Sequence, residues 1–78
     1  MRYSISTTPR RICRLPRHSP VLVQVIDGQV RIGDSGESLH AGGGVTIDSA
    51  AGILNWILPE MEVWAISDSG ATMELIVP

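Results

Sequence analysis

The clearest pattern in the chain lies at residues 21–33, VLVQVIDGQVRIG. Val21, Val23 and Val25 alternate with Leu22, Gln24 and Ile26, and Val30 and Ile32 alternate with Gln29 and Arg31. A period of two is the mark of a strand with one buried face. Asp27-Gly28 stands between the two runs, and an Asp-Gly pair suits a two-residue hairpin turn, because both turn positions need positive φ. Folded there, Val25 faces Val30, Gln24 faces Arg31 and Val23 faces Ile32. Val21, Val23, Val25, Val30 and Ile32 then share one apolar face. A slip of one residue would turn that whole set to water, which fixes the register.

The pattern continues downstream. Residues 34–44, DSGESLHAGGG, read as a glycine-rich connection in which Leu39 is the anchored residue. VTI at 45–47 is a short strand, and DSAAG at 48–52 turns the chain. In ILNWILPEMEVWAI the first half is apolar on both faces apart from Asn55. That predicts burial on both sides, within the domain or against another subunit. Pro59 ends the strand, and a tight loop there predicts a hairpin that sets Trp56 against Trp64 and Asn55 against Ala65. SDSG at 67–70 then turns into ATMELIV. No stretch has a helical period. The prediction is an all-β fold, a small β-barrel or β-sandwich of about six to seven short antiparallel strands over residues 21–78.

Residues 1–20 predict something different, an extended basic N-terminal arm. Pro9, Pro16 and Pro20 interrupt any helix or central strand. Five of the six arginines fall here, at Arg2, Arg10, Arg11, Arg14 and Arg17, and all eight acids come later. The alternatives are a disordered terminus and an arm that orders against a partner. Arginine favours the second, because the guanidinium fork makes paired, directional bonds. Arg2, Tyr3, Arg10, Arg11, Arg14 and Arg17 are the candidate partner-binding residues. Their expected target is an acidic protein surface, on another copy or on a different protein. Nucleic acid is disfavoured, since the body is acidic and Tyr3 is the arm's lone aromatic.

Size sharpens the expectation of a partner. A chain of 78 residues buries only roughly 60% of its unfolded surface and is marginally stable alone. Its single cysteine, Cys13, makes no intrachain disulfide. The chain is 44% hydrophobic and 18% charged, with no lysine, a sparse charge coat for a small monomer. Self-association is the remaining remedy. The apolar residues Ile53, Leu54, Trp56, Ile57, Leu58 and Trp64 are the candidates for core and subunit contact. The run AAGILNWILP is shorter than the roughly 20 residues of a spanning helix. The N-terminus has no apolar stretch of a secretory signal. The lone thiol fits a protein made in a reducing cytoplasm.

Candidate chemistry is thin. AGGGVTID lacks the Lys-Ser/Thr pair of a phosphate loop and runs into a strand rather than a helix. His18 and His40 lie far apart in the chain, and neither has a second histidine at ligand spacing, so no metal site is expected. No serine sits in a Gly-x-Ser-x-Gly elbow, and the serines beside Asp or Gly are turn residues. Arginines around Cys13 would lower its pKa, but no base accompanies it, so it reads as a small apolar anchor. The expectation is a non-enzymatic protein with no cofactor.

Two resemblances bear on function. The stretch VQVIDGQVRIGDSGESLHAGGGVTI is similar to the cupins in its strand, Asp-Gly turn, strand and glycine-rich segment. Cupin enzymes carry a histidine cluster at this point, where this chain has only His40, so the likeness implies β-architecture and a small ligand-binding module at most. The chain more closely resembles the short all-β virion proteins of tailed bacteriophages. QVIDGQVRIGDSG, LHAGGGVTI and EVWAISDSGATMELIVP carry that likeness over residues 21–78, and the arm carries none of it. It implies a capsid decoration or minor capsid protein, a homotrimer seated on the major capsid protein at the virion surface. Tail and baseplate components are the alternative location.

Overall fold

The computed structural model describes residues 1–77, and eight strands account for most of them. In chain order they are β1 (Arg2–Ile5), β2 (Arg10–Leu15), β3 (Ser19–Asp27), β4 (Gln29–Gly33), β5 (Val45–Asp48), β6 (Ile53–Leu58), β7 (Met61–Ile66) and β8 (Ala71–Ile76). A five-residue helix, α1 (Gly36–His40), and a 3₁₀ turn at Ser49–Ala51 interrupt them. Ser35 caps α1, its hydroxyl accepting from the Ser38 N–H at 3.0 Å.

The strands form two four-stranded antiparallel sheets, β1-β8-β3-β6 and β2-β7-β4-β5. First pairs with last, second with seventh, third with sixth and fourth with fifth. The chain is thus a long antiparallel ribbon, folded back at β4–β5 and rolled so that β3 meets β8 and β4 meets β7. That is a jelly-roll arrangement, a sandwich rather than a closed barrel.

The core lies between the sheets. Val21, Val23, Val25, Met73 and Leu75 enter it from the first sheet, and Leu15, Val30, Ile32, Val63 and Ala65 from the second. Interior side chains in alternation on both sheets are what a sandwich requires. Leu39 is fully buried as expected, but from α1, where it lies over Gly33 and Gly44.

Three expectations are corrected. The hairpin at Asp27-Gly28 does not form: β3 and β4 lie in different sheets, and the turn carries the chain across the sandwich. The five residues assigned to one apolar face do share one core, but Val21, Val23 and Val25 meet Val30 and Ile32 from opposite sheets. The second hairpin fails in the same way. Trp56 lies opposite Val21 in the first sheet and Trp64 opposite Arg11 in the second, so the two rings are not a cross-strand pair. Pro59 and Glu60 span the crossing. A connection this short reads alike whether it closes a hairpin or steps between layers.

The third correction concerns residues 1–20. They are extended, but they are strands of the body rather than an arm apart from it. β1 pairs with β8 and β2 with β7, and Ile5 and Leu15 are buried in the core. Pro9 and Pro16 fall just outside β2, where a missing N–H breaks no ladder. Pro20 is inside β3, at a point where β6 is its only partner strand.

Candidate functional site

Of the arginines expected to reach a partner, Arg2 lies on the edge strand β1, Arg10, Arg11 and Arg14 on the edge strand β2 and Arg17 in the loop between β2 and β3, and most of them are engaged within the chain. Arg2 pairs with Glu74 at 3.7 Å, Arg11 with Glu62 at 3.2 Å and Arg14 with Glu60 at 3.7 Å. These pairs are largely exposed, and such pairs contribute about 0–1 kcal/mol each. Arg10 stacks over the Tyr3 ring at 5.2 Å and donates to the Ser4 carbonyl at 3.1 Å. Arg10 and Arg17 have no ion-pair partner among the described residues. The acidic surface that the arginines meet is thus the body of the same chain. Cys13 is half-buried beside them, and burial raises its thiol pKa against the opposing pull of Arg11. A raised pKa leaves less thiolate at neutral pH and a less reactive sulfur.

The six residues assigned to core and subunit contact divide by strand parity. Leu54, Trp56 and Leu58 point inward and pack against the core, yet none is fully buried. Ile53 and Ile57 point outward and are 67% and 77% exposed. Trp64 is half-buried on the outer side of the second sheet, against Gly36 of α1, with its indole N–H donating to Glu62 at 3.1 Å.

β6 is therefore unusual among the strands. It has no charged residue and only one polar one, Asn55, yet it is the one strand with no buried residue among those described. It is also an edge, hydrogen-bonded to β3 alone. The outer surface beside it mixes the apolar Leu22 and Ile76 with Gln24 and Glu74. Leu22 lies opposite Asn55 on one side and Ile76 on the other. Leu22, Gln24, Ile53, Glu74 and Ile76 line a shallow hollow of about 120 Å³. Ile76 and Val77 extend the exposed apolar surface. Gln24 and Glu74 border these exposed apolar side chains, and an apolar patch with a polar rim is the form that docking surfaces take.

The second sheet offers another concave feature, an open cleft of about 270 Å³ lined by Gln29, Arg31, Thr46, Ile66, Ser67 and Asp68. The Ser67 hydroxyl is buried without a hydrogen-bond partner among the described residues. Arg31 is committed elsewhere: its Nη1 donates to the Leu39 carbonyl at 3.2 Å and the Gly43 carbonyl at 3.0 Å, tying the loop after α1 to the sheet. The cleft thus has polar walls, but its cation serves the fold. Among the described residues no three His, Cys, Asp or Glu side chains gather as a metal site, and no helix is long and apolar enough to cross a membrane.

The glycine-rich loop is structural. Gly44 has φ +102°, and a Cβ there would lie 2.8 Å from the Ile32 carbonyl oxygen, so the loop hugs β4. The sequence marks β6 as apolar at both parities, and the structure assigns them: odd positions face out and even positions face in. What the sequence does not carry is that β6 is an edge of its sheet, so that its outward isoleucines stay uncovered. No family model matches this sequence, and no curated protein matches it.

Proposed function

We propose that this chain is a non-enzymatic structural protein of a virion, of the capsid-decorating or minor capsid type found in tailed bacteriophages, and that it works by self-association. The observation that carries the reading is β6, an uncharged apolar strand whose inner side chains the chain's own core covers only in part and whose outer isoleucines stay exposed. A jelly roll suits the role, since capsid domains are among its common users, but the same architecture serves lectins and cupins, so the surface carries the argument and the fold does not. Arg17, and Arg10 where it stacks over Tyr3, have no ion-pair partner among the described residues and are the cations offered to an acidic neighbour such as the major capsid protein. The resemblance implies a trimer, whereas the surface itself calls only for association.

The double variant Ile53→Lys with Ile57→Lys tests this. Both side chains point away from the core, so the far-ultraviolet circular dichroism and the melting of the monomer stay as in the wild type. Each isoleucine withdrawn from water contributes about 1.5–3 kcal/mol. Tenfold in affinity is about 1.4 kcal/mol. Self-association followed by sedimentation should therefore weaken at least about 100-fold. A double variant that associates as well as the wild type would remove the surface from the account.

A further inference from the structure

We infer that β6 pairs with β6 of a second copy of this chain, antiparallel about a twofold axis through Asn55, joining two first sheets into one continuous sheet. The inference rests on the self-association proposed above and specifies its contact.

The edges of the two sheets are not equivalent. β1 carries Arg2, β2 carries Arg10, Arg11 and Arg14 and is bulged between Arg11 and Cys13, and β5 is four residues long with Asp48. Charge, bulges and brevity are the means by which proteins keep edge strands from pairing. β6 has none of them. It is six residues of regular strand, ILNWIL, without charge or proline. Its backbone N–H and C=O groups on the side away from β3 have no strand partner among the described residues.

A second copy fits that edge better than an arbitrary strand does. Two copies of an uncharged strand meet without like-charge repulsion, whereas β2 paired with itself about Ile12 would bring Arg10 against Arg14. Side-chain parity also fits. Residues directly opposite each other in an antiparallel pair lie on the same face. An axis through Asn55 sets Ile53 of one copy against Ile57 of the other on the outer face. It sets Leu54 against Trp56 on the inner face, covering side chains that the monomer leaves half-exposed. Asn55 then meets Asn55, and two amides can exchange hydrogen bonds, each giving an N–H and taking one. Moving the axis to Leu54 or Trp56 would face Asn55 with Ile53 or Ile57 and strand the amide in an apolar row. A lone polar residue in an apolar seam fixes register in this way. The unit built by this pairing is a dimer, in place of the trimer that the resemblance implies.

Cysteine cross-linking tests the register, in a Cys13→Ser background so that no other thiol is present. Directly opposed Cα atoms in an antiparallel pair are about 4.5–5.5 Å apart, inside the range that a disulfide spans, about 4.4–6.8 Å. Ile53→Cys and Ile57→Cys, which leave Asn55 in place, are directly opposed across the axis, so an equal mixture of the two single variants should cross-link as a mixed dimer under mild oxidation. Each variant alone, four positions out of register with its own copy, should not. The wild type is sedimented alongside. If it associates but the mixture stays uncross-linked, or either variant cross-links equally well alone, the β6 pairing is overturned while the reading of an assembling protein stands. If it remains monomeric at the highest soluble concentration, the pairing and that reading both fall.

Discussion

Met73→Ala should lower the unfolding free energy by about 3 kcal/mol, enough to remove much of the stability of so small a domain. Met73 is fully buried on β8, a central strand of the first sheet, opposite Tyr3 of β1 and Val25 of β3. It therefore sits where two strand pairings and the facing sheet converge. Truncation removes the transfer free energy of the thioether chain and leaves a cavity lined by stiff β-branched neighbours such as Val23 and Val25, which collapse poorly into it. Urea titration at one fixed protein concentration reads the effect as a lower midpoint with an unchanged slope. A loss under about 1 kcal/mol would show that the sheets do not meet at Met73.

Gly28→Val should cost at least about 2 kcal/mol, for a reason that no buried surface explains. Gly28 carries the crossing from β3 to β4 and has φ +83°, where a β-branched side chain is strongly disfavoured. A Cβ at this position would also lie 2.7 Å from the Gly70 carbonyl oxygen, so the turn between β7 and β8 would have to move. That turn leads into Ala71, which is buried in the core, so the displacement reaches the packing itself. Thermal melting of Gly28→Val beside Gly42→Val separates strain from clash. Gly42 also has positive φ, at +92°, but nothing lies within 4 Å of its Cβ position. The Gly28 variant should melt lower than the Gly42 variant. Equal melting would mean that backbone conformation alone sets the cost.

Much of the architecture was legible from periodicity. The alternation at Val21–Val25 and Val30–Ile32 marked the core correctly because burial parity is a property of each strand alone. Sheet membership is not such a property. Val30 and Ile32 have the same pattern whether they lie beside Val23 or face it across the sandwich, so two crossings read as two hairpins. β1 and β2 were illegible as strands for a related reason. They are edges with outward arginines, β2 is flanked by Pro9 and Pro16, and Ile5 and Leu15 are their only fully buried residues among those described. Their glutamate partners lie far away in the chain, 51 residues in the case of Arg11 with Glu62, and no local pattern announces such a pairing. The candidate surface was legible in part. ILNWIL announced burial on both faces, but which residues the fold would cover and which it would leave for a partner depended on β6 being an edge.

The measurement that tests the structural role most directly is the copy number of this chain in purified virus particles, by quantitative mass spectrometry of bands from a density gradient. A virion decoration or minor capsid protein is present in many copies per particle, in fixed ratio to the major capsid protein, and the ratio holds across gradient fractions. Absence from particles that carry the rest of their coat would contradict the account, whatever the chain's own state of association.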